Sequence, residues 1–181
     1  MLLDTPICDF GWKAREFTLK DPDGFSFTMS EQMGKKGLLI AFICNHCPYV
    51  QRIADRLADD TAELLDYGIN TLAIMSNDYT DYPEDSPQNM KLFAEKHNFK
   101  FPYLIDETQE VGKKYGAICT PDFFGFNSEG ELQYRGRLDD AMAGSGSTPK
   151  RELVEAMKLV AQSGEGPANQ FPSMGCSIKW R

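Results

Sequence analysis

An apolar run that ends at a pair of cysteines constrains the fold of this chain more than any other feature. Residues 37–43 are apolar throughout, as in a strand buried on both faces of a sheet. Cys44-Asn45-His46-Cys47 follows at once, and an amphipathic stretch begins directly after it. The two cysteines are therefore predicted at a strand-to-helix junction. There the unpaired N–H groups and partial positive charge of a helix N-terminus favour a thiolate.

The segment after Cys47 has the apolar spacing of an amphipathic helix. Residues on its predicted buried face recur three and four positions apart, and charged residues fill the opposite face. Pro48 suits the first turn, where its missing N–H leaves no bond unmade, and Gly68 is expected to cap the C-terminal end. The predicted buried positions are Val50, Ile53, Ala54, Leu57, Ala58, Thr61, Leu64 and Leu65.

The remaining segments predict an α/β fold with a central mixed sheet flanked by helices. The predicted strands cover residues 16–20, 25–28, 69–75, 101–105, 123–126 and 132–138. The later helices are predicted to begin at Pro87, near Asp106 with Gln109 completing a capping box, and at Thr148-Pro149. An N-terminal β-hairpin and a C-terminal tail over residues 164–181 extend this core. With 181 residues, the chain is expected to form one domain over 1–181.

Charge and composition argue against several classes of function. The net charge is −8, from 27 acidic and 19 basic residues, and no basic cluster suggests a nucleic-acid surface. No stretch approaches the roughly 18 apolar residues of a membrane span, and residues 1–6 do not resemble a signal peptide. We therefore expect a cytoplasmic protein whose partners include neither nucleic acid nor membrane.

The spacing of Cys44 and Cys47 favours thiol–disulfide chemistry. Two intervening residues close one helical turn, so the sulfurs can reach disulfide distance. A C-x-x-C pair beside a βαβ pattern is typical of a redox motif. Cys44 is expected to be the more exposed thiol that attacks, and Cys47 the thiol that resolves the mixed disulfide. A protonated His46 would stabilise the Cys44 thiolate, although it could equally be an exposed polar residue of a tight turn.

A zinc site is the competing interpretation of the cysteine pair. Structural zinc needs four ligands, commonly in two paired sets, and the sequence has no second such pair. Cys119, His46 or His97 could complete a site only through fortuitous geometry. We expect neither a metal nor an organic cofactor. Cys176 and Cys8 are weaker candidates for auxiliary thiols.

Thr120-Pro121 is the second feature with a predicted role in the site. Cis peptides occur at X-Pro bonds, and a cis bond here would present backbone opposite the sulfurs to an extended substrate. The simpler alternative is a proline that starts a strand. Cys119 lies two residues before Pro121 and is either a third redox partner or a small buried residue.

These motifs, in this order, resemble the thioredoxin-fold proteins of the redoxin group, which includes the alkyl hydroperoxide reductase and thiol-specific antioxidant proteins. The resemblance covers nearly the whole chain and rests on the hairpin 17–24, the Cys44–Cys47 motif, the strand around Ile74, and Thr120-Pro121. The loop 82–87 and the ending 175–180 are similar to an uncharacterised bacterial subgroup described as thioredoxin-like or peroxiredoxin-like. The resemblance implies a cis Pro121 that faces Cys44.

Two departures separate this chain from the peroxiredoxins. They carry Thr-x-x-Cys with a peroxidatic cysteine last, whereas here Cys44 occupies the threonine position and Cys47 the peroxidatic one. Their arginine near the following strand is replaced by Thr120-Pro121, and Arg135 and Arg137 come later. Peroxide reduction needs positive charge and hydrogen-bond donors on the substrate, so both departures weaken it here.

The main hypothesis is a thiol–disulfide oxidoreductase that contributes to redox homeostasis. Its electrons would come from a dithiol protein or a small thiol. The first alternative is a thiol peroxidase with antioxidant activity that uses the same cysteines. The second is a non-enzymatic redox-sensing or metal-holding module.

Overall fold

The computed structural model describes residues 1–144, 146 and 148–181, which form ten strands and four α-helices. The strands are β1 (Leu2–Asp4), β2 (Thr18–Lys20), β3 (Ser26–Thr28), β4 (Gly37–Phe42), β5 (Ile69–Met75), β6 (Tyr103–Ile105), β7 (Cys119–Thr120), β8 (Asp122–Asn127), β9 (Leu132–Tyr134) and β10 (Met174–Ser177). The helices are α1 (Pro48–Leu65), α2 (Pro87–Lys96), α3 (Glu110–Tyr115) and α4 (Glu152–Ser163). Among the described residues, none of these helices combines the length and apolar character needed to cross a membrane.

Seven strands form a central mixed sheet in the order β3-β2-β6-β5-β4-β8-β9. β5 pairs in parallel with both β4 and β6, whereas β8 runs antiparallel to β4. Every residue of β4 is buried, which confirms the strand predicted from the apolar run. The carboxyl end of β4 leads into residues 43–47, here called the cysteine loop, which connects it to the N-terminus of α1.

Two hydrophobic clusters occupy the two faces of this sheet. One cluster includes the buried stripe of α1 and residues of α4, so the helical spacing predicted after Cys47 is confirmed for most positions. The exceptions are Leu65, which is exposed, and the charged residue Asp60, which is buried and paired with Arg151. The other is rich in aromatic side chains, with Tyr115 in contact with both Phe42 and Phe124. The helices α1 and α4 thus cover one face, and α3 lies on the other.

Three predicted helix ends differ from the structure. α1 ends at Leu65 with Asp66 as its C-cap, and Gly68 lies further on, in the turn before β5, with φ near +77°. Asp106 does accept hydrogen bonds from backbone N–H groups of α3, but Gln109 turns its side chain to other carbonyl oxygens, so no capping box forms. α4 begins at Glu152 rather than at Thr148, because the preceding segment instead bonds to Asp140.

A second sheet contains both ends of the described chain. β10 lies between β1 and β7 and pairs antiparallel with each of them. The sequence indicated only a tail over residues 164–181 and no strand at the N-terminus. These strands have four residues or fewer, too short for a period to be visible in the sequence. The sheet brings the C-terminal segment onto the backbone just before Pro121.

Candidate active site

The cysteine loop joins β4 to α1 as predicted, but both of its sulfurs are buried. Cys47 is the N-cap residue of α1, and Pro48 occupies the first helical turn. Cys44 is 1% exposed and Cys47 is 0% exposed. The expectation that Cys44 is the more exposed thiol is therefore wrong, since surrounding elements cover both residues.

Thr120 contacts both sulfurs. Its hydroxyl lies 3.3 Å from Sγ of Cys44, and its carbonyl oxygen lies 3.3 Å from Sγ of Cys47. The peptide bond between Thr120 and Pro121 is cis, which confirms the geometry that the family resemblance implied. The structure thus brings together the two motifs that the sequence singled out.

The backbone before Pro121 is occupied by the protein itself. Cys176 of β10 pairs with Thr120, and the hydroxyl of Ser173 donates to the carbonyl oxygen of Pro121 at 2.7 Å. The prediction that this backbone is open to an extended substrate is therefore wrong. Because β10 already takes that place, an incoming polypeptide strand would first have to displace it.

The surroundings of Cys47 favour its thiolate. The pKa of Cys47 is lowered to about 4, chiefly because the Cys44 thiol donates a hydrogen bond to it, while burial opposes the shift. The backbone N–H groups of Cys176 and Val50 and the thiol of Cys176 also face the sulfur. In the thiol form Cys47 donates instead to the carbonyl oxygen of Thr120, and ionisation removes that bond.

Cys44 is the thiol that keeps its proton. Its hydrogen bond to Cys47 raises its pKa well above the ordinary value, and burial and the charge of Asp85 act in the same direction. The hydroxyl of Thr120 opposes the shift. The charge distribution is thus the reverse of the expected one, in which Cys44 carried the thiolate.

His46 is held by a buried carboxylate. Nδ1 of His46 lies 2.6 Å from Oδ2 of Asp85, and the imidazole stacks on the ring of Tyr82. Asp85 is fully buried and also accepts hydrogen bonds from the backbone N–H of Asn45 at 2.7 Å and from the side chain of Asn77 at 2.8 Å. His46 is therefore oriented by Asp85, beside Cys44.

Asp85 is the site residue that sequence reasoning missed. It lies in a polar loop together with Asp78, Asp81 and Glu84, and nothing in the spacing distinguishes it from them. Its burial depends on α2 and the turn before it, which place the loop over the cysteines. Only the folded arrangement identifies it.

Asn45 fixes the other side of the cysteine loop. Its side-chain amide donates to the carbonyl oxygen of Glu84, and its Oδ1 accepts from the hydroxyl of Tyr103 at 2.9 Å. The side chain of Gln51 donates to the backbone carbonyl of Asn45. With Asp85, these bonds hold the loop on both sides of Cys44.

Cys44, His46 and Asp85 could supply three ligands to a metal ion. One ligand atom of each lies within 4.8 Å of the other two. The Asp85 oxygens, however, already accept hydrogen bonds from His46, Asn45 and Asn77. His97 lies elsewhere, paired with Asp55 at 2.7 Å. Metal binding would therefore have to break the bonds that hold the cysteine loop.

The other residues considered from the sequence are less suited to redox chemistry. Burial raises the pKa of Cys119 to about 12 and that of Cys8 to about 11, so both are thiols at neutral pH. Arg135 is paired with buried Asp122, and Arg137 with Glu152. Cys176, by contrast, packs against the core cluster that contains Cys44 and Cys47.

A cleft of about 300 Å³ opens beside Pro121. It lies between the first turns of α1 and the segment that leads into β10, and most of its lining is apolar. The lining includes Tyr49, Ile53, Pro121, Leu138, Met142 and Met174. The cleft thus borders Pro121 and the first turns of α1, and neither Cys44 nor Cys47 is among the described residues that line it.

Solved structures resemble this chain over most of its length. An uncharacterised conserved protein from Geobacillus kaustophilus is 38% identical, with a TM-score of 0.93 over 100% of this chain and 97% of the other. A secreted disulfide oxidoreductase of Mycobacterium tuberculosis superposes with a TM-score of 0.60 over 79% of this chain and 94% of its own, at 17% identity. The second comparison shows the fold alone, which is thioredoxin-like.

Sequence comparison gives the family. Peroxiredoxin Q of Populus jackii, a chloroplast protein, is 28% identical over 109 residues, which are 60% of this chain and 46% of that protein. The profile of the AhpC/TSA family matches residues 10–135, more than half of the chain. The fold and the cis proline agree with this match, and the chain belongs to the AhpC/TSA family.

Proposed function

We propose that the protein is a thiol–disulfide oxidoreductase in which Cys44 and Cys47 are the redox pair. The observation that carries the proposal is the placement of both sulfurs against Thr120 at the N-terminus of α1, with its hydroxyl 3.3 Å from Sγ of Cys44 and its carbonyl oxygen 3.3 Å from Sγ of Cys47. A thiolate with a second thiol beside it is the arrangement that disulfide exchange requires. Membership of a redoxin family supports oxidoreductase chemistry in general.

The reaction consumes one substrate disulfide and oxidises the two cysteines. The Cys47 thiolate attacks one sulfur of the substrate, forms a mixed disulfide and releases the first substrate thiolate. Cys44 then attacks Cys47, which forms the Cys44–Cys47 disulfide and releases the second substrate thiol; the Cys44 proton passes to this leaving group. Two electrons thus move to the substrate, and an external dithiol returns them to the enzyme.

The supporting residues position this pair. The hydroxyl of Thr120 lies 3.3 Å from Sγ of Cys44, and the carbonyl oxygen of Thr120, just before cis Pro121, lies 3.3 Å from Sγ of Cys47. His46, fixed by Asp85, closes the same side of the site. Burial of both sulfurs favours a small disulfide over a folded protein as the direct substrate, because a large partner cannot approach them.

The test is reduction of hydroxyethyl disulfide with dithiothreitol as electron donor. We expect turnover by the wild type, its loss in Cys47→Ser and slower turnover in Cys44→Ser. Cys8→Ser is the matched control: it removes a thiol outside the pair and should turn over at the wild-type rate. No reduction of this or other small disulfides, together with no Cys44–Cys47 disulfide in the oxidised protein, would refute the proposal.

Peroxide reduction is the second candidate, and one observation favours it. Cys47 occupies the peroxidatic position of the family and has a low pKa. Its thiolate would attack hydrogen peroxide to give a sulfenic acid and hydroxide, and Cys44 would condense with the sulfenic acid and release water. Arg135 and Arg137 are both engaged by carboxylates, which weakens this alternative. Rapid peroxide consumption that is lost in Cys47→Ser would establish it.

A further inference from the structure

We propose that Cys176 is a third redox thiol, which exchanges with the Cys44–Cys47 disulfide and connects the buried pair to thiols in solution. The inference rests on the proposed function, because it requires Cys44 and Cys47 to be oxidised together. Neither of these two cysteines needs a new partner for its own chemistry. Cys176 instead gives thiols in solution a way to reach the buried pair.

The fold places Cys176 against Cys47. Thr120 is the common neighbour: its backbone pairs with Cys176 in the second sheet, and its carbonyl oxygen lies 3.3 Å from Sγ of Cys47. Beyond the larger effects of Cys44 and of burial, Cys176 helps to lower the pKa of Cys47, and Cys47 helps to raise the pKa of Cys176. Cys176 also packs against the core cluster that contains both Cys44 and Cys47.

Cys176 is held in this position because it belongs to β10, which pairs with a strand on each side. On its other edge Cys176 pairs with Leu2 of β1. Gly175 lies so close to Thr120 that any Cβ would overlap the carbonyl oxygen of Thr120. A residue without a side chain at this point lets β10 approach, and the next residue, Cys176, then reaches Cys47.

Exposure separates the three sulfurs. Cys44 and Cys47 are buried, whereas Cys176 is partly exposed. β10, which covers the backbone at Thr120, therefore carries Cys176, and an external thiol can reach this cysteine. A relay through Cys176 lets a large dithiol partner reduce the pair without displacing β10.

The exchange balances without an added oxidant. The Cys176 thiolate attacks Cys47 in the Cys44–Cys47 disulfide, the Cys47–Cys176 bond forms, and Cys44 leaves as a thiolate that takes up the proton lost by Cys176. An external thiolate then attacks Cys176 and releases Cys47. A second thiol of the same dithiol partner attacks the mixed disulfide, which frees Cys176 and leaves the partner with the two-electron disulfide.

The protonation of Cys176 follows the redox state of Cys47. In the reduced protein, burial and its hydrogen bond to the Cys47 sulfur raise the pKa of Cys176. That bond holds the proton only while Cys47 is a thiolate. Once Cys47 is in a disulfide, Cys176 loses this restraint and is freer to ionise and attack.

The first experiment maps disulfides in the Cys44→Ser variant after oxidation by diamide. We expect a Cys47–Cys176 disulfide in this variant, detected by mass spectrometry of peptides prepared without reduction. A thioredoxin that lacks its resolving cysteine should then become trapped on Cys176. A purely structural role of Cys176 would give neither species.

The second experiment follows reduction of the oxidised full-length protein by intact reduced thioredoxin. We expect Cys176→Ser to react more slowly than the wild type by about tenfold or more, since exchange depends on access to the attacked sulfur. Cys8→Ser, which removes the other partly exposed cysteine, should react at the wild-type rate.

The two proposals fail in different ways. If Cys44→Ser forms no Cys47–Cys176 disulfide and Cys176→Ser is reduced as fast as the wild type, the relay is overturned. A Cys44–Cys47 disulfide and turnover of hydroxyethyl disulfide in Cys176→Ser would then still uphold the proposed function. If the oxidised wild type contained no Cys44–Cys47 disulfide and the reduced protein did not turn over hydroxyethyl disulfide, the proposed function would be overturned instead.

Discussion

At the scale of single residues, Asp85 determines the geometry of the cysteine loop. Its two oxygens accept hydrogen bonds from the backbone of Asn45 and His46, from the His46 ring and from Asn77. A buried carboxylate that makes several such bonds stabilises its surroundings strongly, and leaving the donors unpaired is unfavourable. The orientation of His46 beside Cys44 therefore depends on this one carboxylate.

Replacing Asp85 by asparagine should weaken the site. The new amide group would face the donors of His46 and Asn77, so we expect a loss of roughly 1–3 kcal/mol in the free energy of unfolding, together with lower disulfide turnover. Urea denaturation measures the first effect. Asp81→Asn, an exposed position in the same loop, is the matched control and should change stability by less than about 0.5 kcal/mol. Equal effects of the two variants would contradict the role of Asp85.

The ionisation of Cys47 has a consequence for stability. Its pKa falls from 9.0 to about 4 on folding, so between these values the unfolded chain binds a proton that the folded protein does not. The ionised Cys47 therefore stabilises the folded protein. This stabilisation is fully present above the pKa of Cys47 in the unfolded chain, and it is lost as the pH falls to the pKa of Cys47 in the folded protein. A serine at position 47 does not ionise in this range and cannot provide this stabilisation.

We expect the stability difference between the reduced wild type and Cys47→Ser to increase with pH. Unfolding by urea, measured in reductant between about pH 5 and about pH 8, tests this, because most of the linkage lies inside that window. Subtracting the variant removes the carboxylates that titrate in both proteins. A difference that stays constant or shrinks over this range would show that Cys47 is not the thiolate.

At the scale of single residues, the sequence predicted which groups form the site better than it predicted their exposure. The spacing of Cys44 and Cys47 and the X-Pro bond at Thr120-Pro121 were visible in the sequence and meet in the structure. The exposure of the two cysteines was predicted wrongly, because it depends on β10 and on the loop that contains Asp85. These approach the site only through contacts between distant parts of the chain.

At the scale of elements, β10 is the strand that distinguishes this site from an open one. It reaches Thr120 because Gly175 has no side chain at the point of closest approach. β4 and α1 were predicted well, since each is long enough to show its own periodicity. β1 and β10 are short and pair across almost the full length of the sequence, so no local pattern identifies them.

Gly175→Ala should loosen β10. The added methyl group would overlap the carbonyl oxygen of Thr120, so we expect a loss of roughly 1–3 kcal/mol in unfolding free energy and faster alkylation of the thiolate at Cys47. Ser177→Ala, on the same strand, adds no atom and is the control. Thiol-labelling kinetics in the folded protein provide the measurement. Wild-type labelling of Gly175→Ala would mean that β10 does not protect the pair.

At the scale of the whole molecule, a buried ion pair joins the central sheet to the end of α3. Arg135 donates to both carboxylate oxygens of Asp122, and a further N–H of its guanidinium reaches the carbonyl oxygen of Gly116 at 3.0 Å. The guanidinium also lies over the ring of Phe124. Burial raises the pKa of Asp122 to about 6 even with this partner present.

Arg135→Met should therefore destabilise the entire fold. It leaves the carboxylate of Asp122 buried without its cation, and we expect a loss of about 3–5 kcal/mol in unfolding free energy. Adding Asp122→Asn to this variant should recover part of the loss, because it removes the unpaired charge. Lys91→Met breaks an exposed pair with Asp23 and should change stability by less than about 1 kcal/mol. A similar small effect for Arg135→Met would contradict the assignment.

The contact between Cys47 and Cys176 also has a consequence for chain entropy. A Cys44–Cys47 disulfide closes a loop of one helical turn, whereas a Cys47–Cys176 disulfide encloses most of the chain. The larger loop restricts the unfolded state more, by about 3 kcal/mol on the loop-length relation. Exchange between the two disulfides would thus change the resistance of the oxidised protein to unfolding, although the number of electrons it holds stays the same.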